Sequence, residues 1–208
     1  MGLGVVVLAA GRSERMGQPK LLLPWGETTV LGHLLHQWQK LGAEQVAVVT
    51  ASDDRPLSEE LDRLNVAPAN RIVNPQPERG MFSSIQCAAR WTRWHAGLSH
   101  WAIVLGDQPH LRSSTLQAVL DLAGEPGKVC QPTFQGRGCH PVVLPKSIFT
   151  YLADSKANTL KEFLSQFSSA VCEVNDPGLA LDIDYPEDYQ RALELGPEER
   201  EEERRGRE

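Results

Sequence analysis

Short apolar runs alternate with segments of helical spacing along most of this sequence. The run Val5–Ala10 is apolar and rich in β-branched residues, which predicts a fully buried strand. Apolar residues then recur at helical spacing from about Thr29 to Leu41, and a second apolar run, "QVAVVT", follows. A strand, a helix and a strand in about fifty residues predict a right-handed βαβ unit, and therefore a parallel sheet.

The same alternation continues to residue 195. Further strands are predicted at 71–75, 101–105, 128–134, 140–145 and 170–175, and further helices at 80–96, 114–123, from Asn158 to about Phe167, and at 185–195. Runs 128–134 and 140–145 flank "QGRGC", which predicts an antiparallel pair. We therefore expect an α/β fold with three α/β/α layers and a mixed, mostly parallel sheet.

Composition limits the classes of protein and of partner. Residues 1–195 suffice for one domain, whereas residues 196–208 have no apolar side chain to bury, which predicts a charged, mobile tail or an exposed helical extension. The net charge of −6 argues against a broad nucleic-acid surface. The absence of a long apolar run and of a basic leader predicts a soluble, cytoplasmic protein with no membrane partner. The four cysteines show no CxxC spacing, so we expect reduced, mostly buried thiols and no thiolate metal site.

The segment Leu8–Lys20, "LAAGRSERMGQPK", follows the first strand and predicts an anion site. Small residues let the backbone approach a ligand and offer its N–H groups, and Arg12, Arg15 and Lys20 carry about the charge that a triphosphate needs. The glycine spacing fits neither the dinucleotide fingerprint nor the Walker loop. The alternative is a solvated loop whose cations face water.

Asp107 lies in "GDQP", directly after the strand 101–105. A carboxylate beside a phosphate site repels the substrate unless a metal lies between them, and Mg²⁺ takes one or two carboxylates together with phosphate oxygens. The residue pattern alone equally allows Asp107 to be a helix cap or a turn residue.

The loop resembles the signature L-A-A-G-x-S-x-R-M-G-x-x-K of nucleotidyltransferases, in the branch of the molybdenum cofactor cytidylyltransferases and guanylyltransferases. The resemblance extends over about Val5 to Leu195 and implies a Rossmann-like nucleotidyltransferase fold. It implies that Arg15, Lys20 and Asp107 are catalytic, and that Asp107 and Asp184, the middle aspartate of "DIDYPED", hold Mg²⁺. Asp182 and Asp188 are weaker choices. Asp188 lies in the first turn of the predicted last helix, where an acidic residue also simply suits the helix dipole.

The resemblance also implies residues for the two substrates. The nucleotide-binding set is Leu8, Ala9, Ala10, Gly11, Arg12, Ser13, Lys20, Gly80, Ser83 and Ser84. The two serines could equally only cap a helix. Arg137 and His140, in "GRGCHPVVL", are implied to meet the phosphate of a pterin, although a lone histidine is often structural.

The implied reaction transfers CMP from CTP to a phosphate acceptor, with release of pyrophosphate. A molybdopterin-type molybdenum cofactor is the implied acceptor, and a molybdenum enzyme a possible recipient of the product. The resemblance also implies a preference for CTP over GTP. Guanylyltransferases of this family tend to have L-A-G-G, whereas this chain has L-A-A-G, with Ala10 at the third position. The alternatives are another nucleoside triphosphate, a sugar or alcohol phosphate as acceptor, or a non-catalytic protein that binds and delivers the cofactor.

Overall fold

The computed structural model describes residues 1–124 and 127–196. The strands are β1 (Leu3–Leu8), β2 (Pro24–Trp25), β3 (Thr28–Thr29), β4 (Gln45–Ala51), β5 (Arg71–Asn74), β6 (His100–Leu105), β7 (Val129–Phe134), β8 (Arg137–Gly138), β9 (Val142–Pro145) and β10 (Ser169–Glu173). The α-helices are α1 (Val30–Lys40), α2 (Arg55–Arg63), α3 (Met81–Arg90), α4 (Ser113–Leu122), α5 (Lys146–Leu152), α6 (Leu160–Leu164) and α7 (Pro186–Leu195). Apart from Gly196, the predicted tail lies outside the described residues.

One mixed sheet forms the middle layer, with the strand order β10-β7-β9-β6-β1-β4-β5 and with β8 paired to β7. The pairs of β1 with β4 and β6, of β4 with β5, and of β10 with β7 are parallel. Strand β9 runs antiparallel to both neighbours, and β8 runs antiparallel to β7. The carboxyl ends of β1, β4, β5, β6, β7 and β10 therefore lie at one edge of the sheet.

Helices cover both faces of the sheet because successive strand residues point to opposite sides. Val5 and Val7 pack with apolar residues of α1, α2, α4 and α7, whereas Val6 packs with apolar residues of α3, α5 and α6. This arrangement confirms the predicted three-layer α/β/α fold with its mixed, mostly parallel sheet.

A glycine lets the two central strands end close together. Gly106, just after β6, donates its N–H to the Leu8 carbonyl at 3.2 Å. A Cβ at this position would lie 2.8 Å from that same oxygen and 2.8 Å from Leu21 Cδ2, both too close. The glycine of "GDQP" therefore brings Asp107 beside the loop that follows β1.

Two predicted helix boundaries are wrong. The helix predicted at 80–96 ends at Arg90, since Trp91 is extended and the Trp94 indole N–H donates to the Ala88 carbonyl at 2.9 Å, which satisfies one helix-terminal acceptor. Asn158 is not the cap of α6: the Thr159 hydroxyl accepts from Glu162 N–H at 3.1 Å, and the helix ends at Leu164.

The predicted antiparallel pair of 128–134 with 140–145 is present only as one bridge, between Cys130 and Val143. The glycine-rich turn instead pairs β8 with the end of β7, and β9 pairs mainly with β6. Helices α2 and α5 had no counterpart in the sequence prediction, because α2 is mostly charged and α5 follows directly on the apolar run of β9.

The cysteines are all free thiols, but only Cys130 is buried, so the expected burial is wrong for Cys87, Cys139 and Cys172. Within residues 1–124 and 127–196, none of the helices has both the length and the hydropathy that a membrane span requires.

Candidate active site

The loop after β1 folds back on itself and returns Lys20 to the sheet edge. Ser13 and Gly17 adopt left-handed backbone conformations, with φ of 50° and 70°, on either side of a short 3₁₀ turn at Glu14–Met16. The Lys20 backbone N–H donates to Ser13 Oγ at 3.3 Å, which closes the loop. Met16 is buried beneath it and anchors it to the core.

Four of the predicted residues meet at this edge. Lys20 Nζ lies 2.7 Å from Asp107 Oδ2 and 3.4 Å from Asp184 Oδ1. Arg15 Nη1 lies 2.7 Å from Asp184 Oδ2, and its guanidinium lies 5.8 Å from the centroid of the Tyr185 ring. Since Lys20 and Asp107 are only 16% and 20% exposed, their attraction is less screened by water than that of a surface pair. Two cations thus hold two carboxylates that are 77 positions apart in the sequence.

Backbone and side-chain bonds join residues 176–184, the acidic segment, to the start of the loop after β6. Ile183 N–H donates to the Asp107 carbonyl at 3.1 Å, and Gln108 Nε2 donates to Asp182 Oδ1 at 2.9 Å. The His110 ring donates from Nε2 to the Gly178 carbonyl at 3.0 Å, because a carbonyl can only accept. These bonds fix the position of Asp184 relative to Asp107.

Asp176 is the buried anchor of the acidic segment. One of its oxygens accepts from Thr115 Oγ1 at 2.7 Å and from Arg112 N–H at 3.2 Å, and the other accepts from Gly178 N–H at 3.0 Å. Only 3% of Asp176 is exposed, so this carboxylate exchanges its water for three protein donors.

The structure separates the roles of Asp182 and Asp184. Asp182 is bound to Gln108, whereas Asp184 contacts both Arg15 and Lys20. Partial removal from water and the neighbouring Asp107 carboxylate raise the pKa of Asp182. Of the two, Asp184 is thus the carboxylate that faces the cations of the loop.

The carboxylates fit a divalent ion that is also held by phosphate. Asp107 Oδ1 is buried and has no hydrogen-bond partner, which leaves a free acceptor beside the cation contact. Among the residues that the structure describes, no group of three or more His, Cys, Asp or Glu side chains could hold a metal by itself. One or two carboxylates completed by phosphate oxygens is the arrangement that Mg²⁺ uses in nucleotide sites.

Two adjoining cavities open at this edge of the sheet. The first, of about 450 Å³, is lined by the loop residues Ala10, Gly11, Arg12, Ser13, Glu14, Arg15 and Lys20, by Pro77 and Glu78, and by Asp184. The second, of about 280 Å³, is lined by Leu8, Ala9, Ala10, Gly11, Ser13, Lys20, Gly80, Ser84 and Asp107 among others. The first holds three cations, which suit a triphosphate, together with three carboxylates, and the second is more apolar and suits a nucleoside.

The predicted serines take different positions, and neither caps α3. Asn74 Nδ2 donates to Ser83 Oγ at 2.8 Å and to Ser84 Oγ at 2.9 Å, and Ser83 Oγ donates to the Gly80 carbonyl at 2.7 Å. Gly80 is the N-cap residue, with a φ of 87° that favours glycine. Ser84 lines the smaller cavity, whereas Ser83 lines neither of the two.

Arg137 and His140 line a third cavity, of about 780 Å³. Lys161 from α6 also lines this cavity, and Met81 lines both this cavity and the nucleoside-sized one. His140 donates from Nδ1 to the Ile103 carbonyl at 3.2 Å, and burial lowers the pKa of its ring. His140 therefore has a structural bond in addition to its place on the cavity wall.

The sequence analysis did not single out Asn74, Gln108, Asp176 or Lys161. Asn74 and Gln108 lie at or just beyond the carboxyl ends of β5 and β6, and that position at the sheet edge could have marked them. No comparable signal marks Asp176, because its partners are backbone groups and a threonine brought together by the fold.

Comparison with known proteins identifies the class. A family model described as "MobA-like NTP transferase domain" matches residues 5–171. The molybdenum cofactor cytidylyltransferase of Escherichia coli (strain K12) is 26% identical over 191 residues, 91% of this chain and 94% of that protein. The purine catabolism protein PucB of Bacillus subtilis (strain 168) is 30% identical over 192 residues, 88% of this chain and 92% of that protein.

Solved structures agree in fold. Rv0371c from Mycobacterium tuberculosis H37Rv is 27% identical, with a TM-score of 0.70, over 93% of this chain and 98% of that one. The same mycobacterial protein has also been solved in complex with manganese. Fold and family model together define the class of this protein as a nucleotidyltransferase. The chain belongs to the MobA-like NTP transferase family.

Proposed function

We propose that this protein transfers CMP from CTP to the phosphate of a molybdopterin-type molybdenum cofactor and releases pyrophosphate. The observation that carries the proposal is the contact of Lys20 with both Asp107 and Asp184 beside the loop cavity. The name of the E. coli relative and Ala10 of the loop support the choice of substrates. Mg²⁺ is the divalent ion of the proposal.

In the proposed reaction an oxygen of the acceptor phosphate attacks the α-phosphorus of CTP in line. A new P–O bond forms, the bond from the α-phosphorus to the bridging oxygen breaks, and pyrophosphate leaves with the electron pair. Arg15 and Lys20 bind the triphosphate and stabilise the negative charge of the leaving group. Ala10 and Gly11 line the same cavity, and in this proposal their backbone N–H groups donate to phosphate oxygens. Catalysis thus comes from position and charge, without a covalent intermediate.

Asp107 and Asp184 are the residues that would hold the divalent ion. When bound, it acts as a Lewis acid toward phosphate oxygens. Arg137 and His140, on the wall of the third cavity, bind the acceptor in this proposal.

Nucleotide choice is tested by calorimetric titration of the protein with CTP, GTP, UTP and ATP, each with and without Mg²⁺. We expect binding of CTP that Mg²⁺ strengthens, and weaker binding of the other three. Preference for another nucleotide would change the product but keep the reaction. If no nucleotide binds even in the presence of molybdopterin, the cofactor-delivery alternative replaces the proposal.

Replacement of the proposed metal ligands tests the reaction itself. We expect Asp107→Asn and Asp184→Asn each to lower pyrophosphate release from CTP and molybdopterin at least about 100-fold, which is about 2.7 kcal/mol of transition-state stabilisation. The amide keeps the shape of the side chain, so the thermal midpoint should change little. Asp182→Asn is the matched control, and a loss equal to that of Asp184→Asn would overturn the choice between the two aspartates.

A further inference from the structure

Asp188 holds the backbone at Asp184 and Tyr185. Its Oδ2 accepts from Asp184 N–H at 3.1 Å and from Tyr185 N–H at 2.8 Å. Its Oδ1 accepts from the Arg191 guanidinium, one helical turn further along α7. Only 7% of Asp188 is exposed, so the carboxylate is fixed from both sides by protein donors.

The two residues that Asp188 holds are those that face the cations of the loop. The Asp184 carboxylate contacts Arg15 and Lys20, and the Tyr185 ring lies below the Arg15 guanidinium. A change of backbone angle at Asp184 would move its carboxylate relative to Asp107, which approaches from a different strand end. The contacts of Asp188 therefore affect the geometry of the whole charged site.

We propose that Asp188 is a positioning residue that orients Asp184 for metal binding. This inference rests on the proposed function, in which Asp184 holds the divalent ion. Groups that orient a metal ligand act by fixing its direction, and their loss lowers metal affinity or activity about 10- to 100-fold.

Glu187 provides a comparison within the same helical turn. Both Glu187 and Asp188 are acidic residues in the first turn of α7, so the helix dipole favours both of them. Glu187 is exposed, and no hydrogen bond of its side chain is described, whereas Asp188 bonds the backbone of the metal-ligand residue. A dipole effect predicts similar results for the two replacements, and a positioning effect predicts a loss for Asp188 alone.

The experiment compares wild type, Asp188→Ala, Asp188→Asn and Glu187→Ala. For each we would measure Mn²⁺ binding by electron paramagnetic resonance in the presence of CTP, then kcat, the KM for CTP, and the thermal midpoint. Mn²⁺ binding reports the metal site without requiring the acceptor. Asp188→Asn is the conservative variant, included in case Asp188→Ala fails to fold. Its amide oxygen can still accept hydrogen bonds from both backbone N–H groups, while the Arg191 guanidinium loses its partner and binds water instead.

For Asp188→Ala we expect Mn²⁺ binding to weaken about 10- to 100-fold and kcat to fall by a similar factor, with a smaller change in the KM for CTP. Asp188→Asn should recover most of both quantities, and Glu187→Ala should match wild type. Equal effects of Asp188→Ala and Glu187→Ala, or unchanged Mn²⁺ binding in a less stable Asp188→Ala protein, would overturn the inference. If wild type binds Mn²⁺ with CTP but releases no pyrophosphate, the proposed function fails while the Mn²⁺ comparison still decides the role of Asp188.

Discussion

Lys20 is the residue on which the charge balance of the site depends. Its ammonium lies between Asp107 and Asp184, where it offsets two carboxylates that would otherwise repel each other. In the proposed reaction the same ammonium binds the triphosphate, and a divalent ion takes over the carboxylates. Nucleotide and metal should therefore each favour the binding of the other. The nucleotide attracts Lys20 away from the aspartates, and the metal replaces Lys20 as the cation that the aspartates bind.

Lys20→Met should separate these two effects. Loss of a charge-assisted bond weakens binding by about 1.5–3 kcal/mol, so we expect the Kd for CTP to rise roughly 10- to 150-fold. In the absence of nucleotide, Mn²⁺ should bind more tightly than to wild type, since the competing cation is gone. Calorimetry measures the Kd for CTP and the Kd for Mn²⁺. Lys40→Met, at the C-terminal end of α1, is the control. Mn²⁺ affinity that falls together with CTP affinity would contradict the proposed competition.

At this scale the sequence could predict which residues meet but not how they are held. Residues that follow neighbouring parallel strands share one sheet edge, so Lys20 and Asp107 could be placed together. Asp188 also stood out by position, but its sequence context equally fits a helix-dipole effect. Its bonds to the backbone of Asp184 and Tyr185 depend on the path of the chain before α7, which no local pattern specifies.

Among elements, the acidic segment 176–184 and the loop after β6 form a joined unit. Neither is a regular strand or a long helix. Hydrogen bonds between side chains and backbone therefore hold them in place of the backbone hydrogen bonds of a sheet. From a buried position, the Asp176 carboxylate accepts from the Arg112 N–H of that loop, from Thr115 Oγ1 in the first turn of α4, and from Gly178 N–H within the acidic segment. The unit carries both aspartates that we propose as metal ligands.

Asp176→Ala should loosen this unit. Removal of the carboxylate leaves buried donors without partners, which we expect to lower the free energy of unfolding by roughly 3–5 kcal/mol. Chemical denaturation measures the change, and Asp154→Ala on the exposed surface is the control. Under conditions where the variant is folded, pyrophosphate release should still be reduced, because Asp184 is less well positioned. Full activity of a destabilised variant would show that the acidic segment needs no such anchor.

The elements that periodicity predicts correctly are the ones with a long apolar face or a fully buried strand. Strands β1, β4 and β6 are of this kind, and their parallel order follows from the βαβ alternation. The end of α3 was missed because a tryptophan beyond the helix, Trp94, donates its indole N–H to the Ala88 carbonyl in the last turn. The pairing of β9 with β6 was missed because a strand order cannot be read from neighbours in sequence.

For the molecule as a whole, acidification should reduce stability through three buried or partly buried histidines. Burial lowers the pKa of His100, His110 and His140, so the unfolded chain takes up these protons at a higher pH than the folded one. The stability due to the neutral rings is present above the ordinary histidine pKa of about 6.5 and is lost as the pH falls toward the folded-state values. Asp182, with its raised pKa, acts in the opposite direction at lower pH.

His110→Gln tests this dependence. Glutamine can still donate to the Gly178 carbonyl but does not titrate, so its free energy of unfolding should fall less than that of wild type between about pH 7.5 and pH 5.5. Denaturant titrations at a series of pH values give the slopes, with His36→Gln at an exposed position as control. Parallel slopes for all three proteins would assign the acid sensitivity to groups other than His110.

The distance in sequence between Lys20 and Asp184 has a consequence for how the protein is made. The two residues are separated by 164 positions, which a ribosome translating 5–20 residues per second covers in about 8 to 33 s. During that interval the nascent chain already holds Arg15 and Lys20 but lacks the acidic segment that binds them. The full set of charges is thus assembled only after Asp184 has been made, when residues 176–184 dock on a sheet whose central strands were made much earlier.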